Sequence, residues 1–259
     1  MIKTLAQLIL KKFGYNIVKS QVQTDGYLLK NIDKTVLEAI KSNSMLCDAR
    51  LINIIEATNY LISKKIAGDF IECGVWKGGA VATMANALKL ESDFRNLYLF
   101  DAFDDICEPD ALLDGQRAIE EVGGIENAQG RLKPINGIYQ KMGKEGPGNE
   151  RHVLELLKNI IKYPEDKIFI HKGWFQDTLP IAAPTINNIA LLRLDGDWYA
   201  STKVCLAYLY DKVVPGGVII IDDYLTYEGC KLAVDEFLLT RNESPFMFRV
   251  NSDCVCWIK

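Results

Sequence analysis

Apolar positions along this chain switch between two periods. Leu51, Ile54, Ile55, Thr58, Leu61 and Ile62 recur at helical spacing, so 48–64 reads as an amphipathic helix. Val36, Ala39 and Ile40 suggest a shorter helix before it, starting near Asn31 or Asp33. Beyond that point short apolar runs alternate with helical patterns. The runs 69–73 (DFIEC), 97–101 (LYLFD), 167–171, 188–195 and 217–222 read as strands. Between and after them, 79–90, 150–161, 201–212 and 228–240 read as helices; Val81, Met84, Ala85 and Leu88 share one face of the first. Phe246–Val250 and Cys254–Ile258 are joined by the polar triplet Asn251-Ser252-Asp253, which predicts a terminal antiparallel hairpin. Phe103 to about Gly148 shows neither period and is rich in Gly, Asp and Glu. Loops of that length in compact domains tend to be functional.

Alternating strand and helix implies an α/β fold: a mostly parallel, Rossmann-like sheet of seven strands, helices on both faces, and the antiparallel hairpin at its end. Residues 1–66 form an N-terminal helical extension and 67–259 the α/β domain, with a lid or acceptor insertion at about 104–148. Met1 to Lys19 is amphipathic and basic, with Ile2, Leu5, Leu8, Ile9 and Phe13 among Lys3, Lys11 and Lys12. It lacks the features of a signal peptide and reads as a packing or oligomerisation helix rather than a membrane-surface helix. In such sheets ligands sit at the carboxyl ends of the strands.

Composition narrows the chemistry. Thirty basic against thirty-four acidic residues give a net charge of −4, which lacks the basic face that nucleic acid requires. No apolar run reaches the ~18 residues of a membrane span. The seven scattered cysteines suggest free thiols in a reducing compartment, so the expected location is cytoplasmic. With only His152 and His171, a histidine-rich metal site is excluded and any metal falls to carboxylates. His171 ends a strand and His152 begins a helix; both read as structural or surface residues. Cys254 and Cys256 share a strand face and read as packing.

The strand ends carry the candidates. Glu72-Cys73-Gly74-Val75-Trp76-Lys77-Gly78-Gly79 follows a strand and opens a helix. Its glycines let backbone lie close to a ligand, yet the spacing matches neither the P-loop nor the GxGxxG loop. An acid at Glu72 would repel a pyrophosphate but attract the cationic end of S-adenosylmethionine. Asp101 ends the second strand, where a carboxylate can accept from both ribose hydroxyls. Asp195 ends the fourth strand; Asp222 and Asp223 end the fifth. If these strands are neighbours, three like charges converge and repel by several kcal/mol at moderate dielectric, so a cation belongs among them unless they are protonated. Oxygen-only ligands select a hard divalent ion, Mg²⁺ first, with Mn²⁺ or Ca²⁺ as alternatives. Asp197 lies on the turn beyond Asp195, within reach of a substrate hydroxyl. Arg193 shares a strand face with Asp195 and can neutralise a nearby acid.

The segments 192–202 (LRLDGDWYAST), 214–217 (VPGG) and 221–224 (IDDY), with the Glu72–Gly79 loop, 100–103 (FDAF) and 173–180 (GWFQDTLP), resemble the macrocin O-methyltransferase (TylF-type) family. The resemblance spans about residues 45 to 258 and implies a class I methyltransferase fold. It implies a metal-dependent O-methyltransferase that moves the methyl of S-adenosylmethionine to a sugar hydroxyl of a small-molecule or saccharide acceptor, working as a homo-oligomer. Carried over residue by residue, it makes Asp195, Asp222 and Asp223 metal ligands and Asp197 the general base. Around the cofactor it puts Glu72, Gly74, Trp76, Gly78 and Asp101, with Trp174 and Phe175 near the adenine. The rivals are a catechol-type O-methyltransferase, a nicotinamide-dependent oxidoreductase and a non-catalytic module that has kept the fold.

Overall fold

A computed structural model describes residues 27–141 and 143–259; the amphipathic segment 1–19 lies outside the described residues. A short helix, α1 (Tyr27–Lys30), precedes α2 (Lys34–Ser42). Asp33 starts α2 by accepting the Thr35 and Val36 N–H groups at 2.9 and 3.2 Å, which settles its beginning. After α3 (Asp48–Ser63), strand and helix alternate: β1 (Asp69–Cys73), α4 (Gly79–Leu90), β2 (Leu97–Asp101), then the insertion. The insertion is not structureless. It contains α5 (Gly115–Glu121) and α6 (Ile138–Lys141), with bridges Cys107–Pro134 and Asp110–Gln129. Next come α7 (Glu150–Glu155), continued by a π-helical turn at Leu156–Ile161, then β3 (Ile168–Lys172), α8 (Phe175–Ala182) and β4 (Ile189–Leu194). The chain finishes with α9 (Tyr199–Leu209), β5 (Val213–Ile221), α10 (Glu228–Thr240), β6 (Phe248–Arg249) and β7 (Val255–Ile258).

The strands form one sheet in the order β3-β2-β1-β4-β5-β7-β6, with β1 to β5 parallel and β7 antiparallel to both neighbours. The expected seven strands and terminal hairpin are therefore present. The order reverses between β1 and β4, the switch point where ligands bind in such sheets.

Side chains alternate across the sheet and feed two cores. Phe70, Leu191, Val218 and Ile220 face α2, α3 and α4, packing on Ile40, Leu51, Ile54 and Met84. Ile71, Leu192, Ile219 and Ile221 face α8, α9 and α10, packing on Leu179, Cys205, Leu206 and Val234. Helices α2 and α3 thus supply one wall of the sheet's core. All seven cysteines are free, and Cys254 and Cys256 pack into the α3-side core. Among the described residues, no helix is long and apolar enough to cross a membrane.

Candidate active site

Hydrogen bonds continue past the carboxyl ends of the strands and tie the loops there into one rim. Gly74 N–H donates to Phe100 O, Asp195 N–H to Cys73 O, Asp222 N–H to Leu194 O and Gly173 N–H to Asp101 O, at 2.8–2.9 Å. The close approach of β1 and β4 depends on a missing side chain. A Cβ on Gly74, whose φ is +90°, would sit 1.8 Å from the Asp195 carbonyl oxygen. Gly78, at φ +89°, has Val153 and Leu156 over it. Trp76 between them holds a left-handed φ of 49° and packs its carbonyl where a Cβ of Gly148 would fall.

Asp101 organises this loop. One oxygen accepts the Val75 and Trp76 N–H groups at 2.6 and 2.8 Å, the other the Phe103 N–H at 2.6 Å. Burial raises its pKa and the three backbone donors pull it back. Gly74, Asp101, Trp174 and Phe175 all line a cavity of about 250 Å³ that runs on to Asp195, Asp197 and Tyr139. Trp76 and Gly78 stand beside this cavity, not on its wall.

Glu72 does not reach it. Where the sequence predicts an acid facing the cofactor, the structure buries Glu72 completely and bonds it to Arg193 Nη1 at 2.6 Å. The reason is register: Glu72 and Arg193 are direct partners across β1 and β4, pointing into the α3-side core. Burial pushes the Glu72 carboxyl up to about 8, against the pull of the guanidinium. Arg193 Nη2 also lies 2.8 Å from Asp195 and 2.7 Å from Asp222. Burial opposes its charge, but Asp195, Asp222 and Glu72 together hold it firmly protonated.

The two adjacent aspartates after β5 part company because neighbouring residues on a strand point to opposite sides. Asp222 follows Ile220 onto the α3 side, where Arg50 of α3 pairs with it and, at 2.7 Å, with Asp253 of the terminal hairpin. Asp223 points the other way and joins Asp195 and Asp197, with one oxygen from each within 4.8 Å of the others. The structure therefore brings together Asp195, Asp197 and Asp223, and turns Asp222, expected among the converging acids, toward two arginines. Arg50 and Asp253 were absent from the sequence expectation.

The triad is short of positive charge. Burial and then Asp195 push the Asp197 carboxyl up to about 7; burial, then Asp197 and Asp195, drive Asp223 well above the usual range. Among the described residues the buried Asp223 Oδ2 has no hydrogen-bond donor, whereas Asp222 Oδ1 lies 2.7 Å from Arg193 Nη2. An unanswered buried carboxylate oxygen in an all-oxygen set suits a hard divalent cation. A smaller cavity of about 60 Å³ lies on the far side of Asp197 and Trp198, walled by Met45, Glu121, Tyr139, Lys144 and Tyr227. His171 serves packing, stacked on Phe100 with ring centroids 4.6 Å apart. His152, exposed on α7, touches Asn43 Oδ1 at 2.6 Å.

Comparison with known proteins decides what this rim belongs to. The sequence model of the macrocin-O-methyltransferase (TylF) family matches residues 20–125 and 155–259. The chain belongs to this family. Demethyldecarbamoylnovobiocin O-methyltransferase of Streptomyces niveus is 32% identical over 83% of this chain and 75% of its own length. The 8-demethyl-8-(2,3-dimethoxy-alpha-L-rhamnosyl)-tetracenomycin-C 4'-O-methyltransferase of Streptomyces olivaceus is 31% identical over 76% of this chain and 67% of its own. The solved O-methyltransferase NovP superposes with a TM-score of 0.68 at 31% identity, covering 84% of this chain and 82% of that one. As a TylF-family protein with the class I fold, the chain is an S-adenosylmethionine-dependent O-methyltransferase that acts on a small molecule. The family match skips residues 126–154, the second half of the insertion and most of α7, including Tyr139 and Lys144 on the cavity walls.

Proposed function

We propose that this enzyme methylates a sugar hydroxyl of a glycoside or saccharide with the help of a divalent metal, Mg²⁺ first. The observation that carries the reading is the group of under-neutralised carboxylates at the ends of β4 and β5, which reaches the cavity beside Gly74 and Asp101 through Asp195 and Asp197. The rhamnosyl group in the name of the S. olivaceus relative supports a sugar acceptor. So does Asp223, where catechol-type enzymes usually have an asparagine.

Asp195 and Asp223, which lie together, would hold the metal; Asp222, which the family resemblance adds to the set, would have to turn from Arg50 and Arg193 to reach it. The ion would supply a Lewis acid and a template for two neighbouring acceptor oxygens. Gly74, Asp101, Trp174 and Phe175 would hold S-adenosylmethionine, with Asp101 releasing backbone contacts to meet the ribose. Trp76 and Gly78 shape the same loop from behind, and Glu72 acts at one remove by fixing Arg193. Asp197 takes the proton from the reacting hydroxyl; a carboxyl raised to about 7 is matched to that task near neutral pH. When bound, the cofactor would supply an electrophilic methyl to that oxygen, the broken S–CH3 bond leaving its electron pair on the sulfur of S-adenosylhomocysteine. The neutral Trp174–Phe175 wall and the insertion exclude water, and most of the rate comes from positioning. Residues 126–154, the stretch outside the family match, make part of the acceptor wall and so bear on acceptor choice.

The test is mass spectrometry of a panel incubated with labelled S-adenosylmethionine and Mg²⁺: methyl α-L-rhamnoside, demethyldecarbamoylnovobiocin and catechol. Label on a glycoside supports the reading. Label on catechol alone overturns the sugar assignment.

A further inference from the structure

One buried carboxylate in the insertion takes no part in the chemistry above. Asp114 stands just before α5 and is 2% exposed. Its Oδ1 accepts the N–H of Tyr199 at 2.6 Å, and its Oδ2 accepts the N–H of Asp110 at 2.6 Å. Tyr199 is the first residue of α9, two residues after Asp197. Asp114 therefore answers a free N–H at the start of α9 from outside the helix and sets a negative charge against its positive end. The insertion grips the same turn a second time, where Trp198 Nε1 donates to Cys107 O at 2.9 Å.

The gripped turn is strained. Asp197 adopts a left-handed φ of 61°, unusual for any residue but glycine and a typical mark of a functional turn. Within it Trp198 N–H donates to Gly196 O at 2.6 Å. Space for the Asp114 carboxylate is built into α10: a Cβ on Gly229 would lie 1.8 Å from Asp114 Oδ1. Gly115, at φ +83°, is likewise pressed against the Glu228 side chain, 2.6 Å from where its own Cβ would be. Two glycines thus let the insertion dock tightly against the start of α10.

We propose that Asp114 is a positioning residue for methyl transfer: by clamping the start of α9 it holds Asp197 in its left-handed conformation, so that insertion and base are set as one unit. The inference rests on the reading of Asp197 as the base. It makes the first half of the insertion a fixed brace, not a freely opening lid.

Asp114→Ala removes both acceptors; Asp114→Asn keeps the size and one oxygen. Hydrogen exchange of peptides covering residues 195–204 reads the turn without any acceptor. Methyl transfer is read on whichever panel compound the unmodified enzyme turns over. A misplacement near 1 Å can cost about 100-fold, so kcat should fall about 30-fold in the alanine variant and about fivefold in the asparagine variant. The acceptor KM and the Kd of S-adenosylmethionine should stay within about twofold, while exchange over 195–204 speeds up about tenfold. A kcat within about twofold of the unmodified enzyme in Asp114→Ala, or a loss carried instead by KM or cofactor Kd, overturns the proposal. If the unmodified enzyme labels no panel compound, the functional reading fails separately, and exchange decides the clamp: unchanged protection over 195–204 overturns it.

Discussion

At the end of β1 the chain passes into a helix through Gly74–Gly78; at the end of β4 it does so through Asp195–Trp198. Both connections contain a non-glycine residue with left-handed φ, Trp76 in the first and Asp197 in the second. Their electrostatics are opposite. In the first, Asp101 answers the N–H groups of Val75 and Trp76, and the nearby acid Glu72 is buried against Arg193. Of this loop only Gly74 faces the cavity, beside the hydrogen-bonded Asp101. In the second, Asp197 and Asp223 have no arginine partner among the described residues, and burial and the neighbouring acids raise both carboxyls. A self-satisfied loop suits a cofactor gripped largely by shape. An under-neutralised one suits a cation and a proton to be moved.

The sharpest break in this comparison is Asp197→Asn. If Asp197 is the base, turnover falls about 1,000-fold, equivalent to about 4 kcal/mol, while Mn²⁺ and S-adenosylmethionine affinities hold. A fall in Mn²⁺ affinity would instead make Asp197 a ligand. The pH profile carries the same information. A base works deprotonated, so kcat/KM should rise with pH and level off. The free carboxyl near 7 sets the upper bound of that limb, because a bound cation favours the carboxylate and moves the limb lower. The limb should vanish in Asp197→Asn.

Arg193→Met tests the buried side of the rim. It strands the fully buried Glu72 without a cation and leaves Asp222 only Arg50, so urea unfolding should show a loss of about 3 kcal/mol or more. An unchanged midpoint would mean the carboxylates are neutral in the folded chain.

Asp101→Asn is milder. Its amide cannot accept on both sides, the first loop slackens, and cofactor affinity measured by calorimetry should drop about tenfold. Unchanged affinity would detach Asp101 from the cofactor.

His152→Ala should cost the least, under about 1 kcal/mol by thermal unfolding, because its contact with Asn43 is exposed.

What could be read beforehand follows the same division. The runs 69–73 and 97–101 coincide with β1 and β2, because an apolar run bounded by polar residues is a local signal. Strand β5 starts at Val213 rather than 217, since Gly216 pairs its N–H with Lys259 O at 2.7 Å, a partner 43 residues away by number and invisible locally. The insertion's helices α5 and α6 are too short to display a period. Among site residues, the positions at strand ends were legible because topology gathers them; their directions were not. Glu72 opposite Arg193 depends on register, and Asp222 turning from Asp223 depends on strand alternation. Arg50 left one trace. A cation in the first turn of α3 opposes the helix dipole, and such a misplaced charge calls for an acidic partner, here Asp222 and Asp253.

We propose that the acids after β4 and β5 serve a metal-assisted transfer to a sugar hydroxyl. The most direct test is the initial rate of labelled methyl transfer to a panel glycoside in EDTA, and again after Mg²⁺ is restored. EDTA should abolish the rate and Mg²⁺ return it. An undiminished rate in EDTA would contradict the proposal.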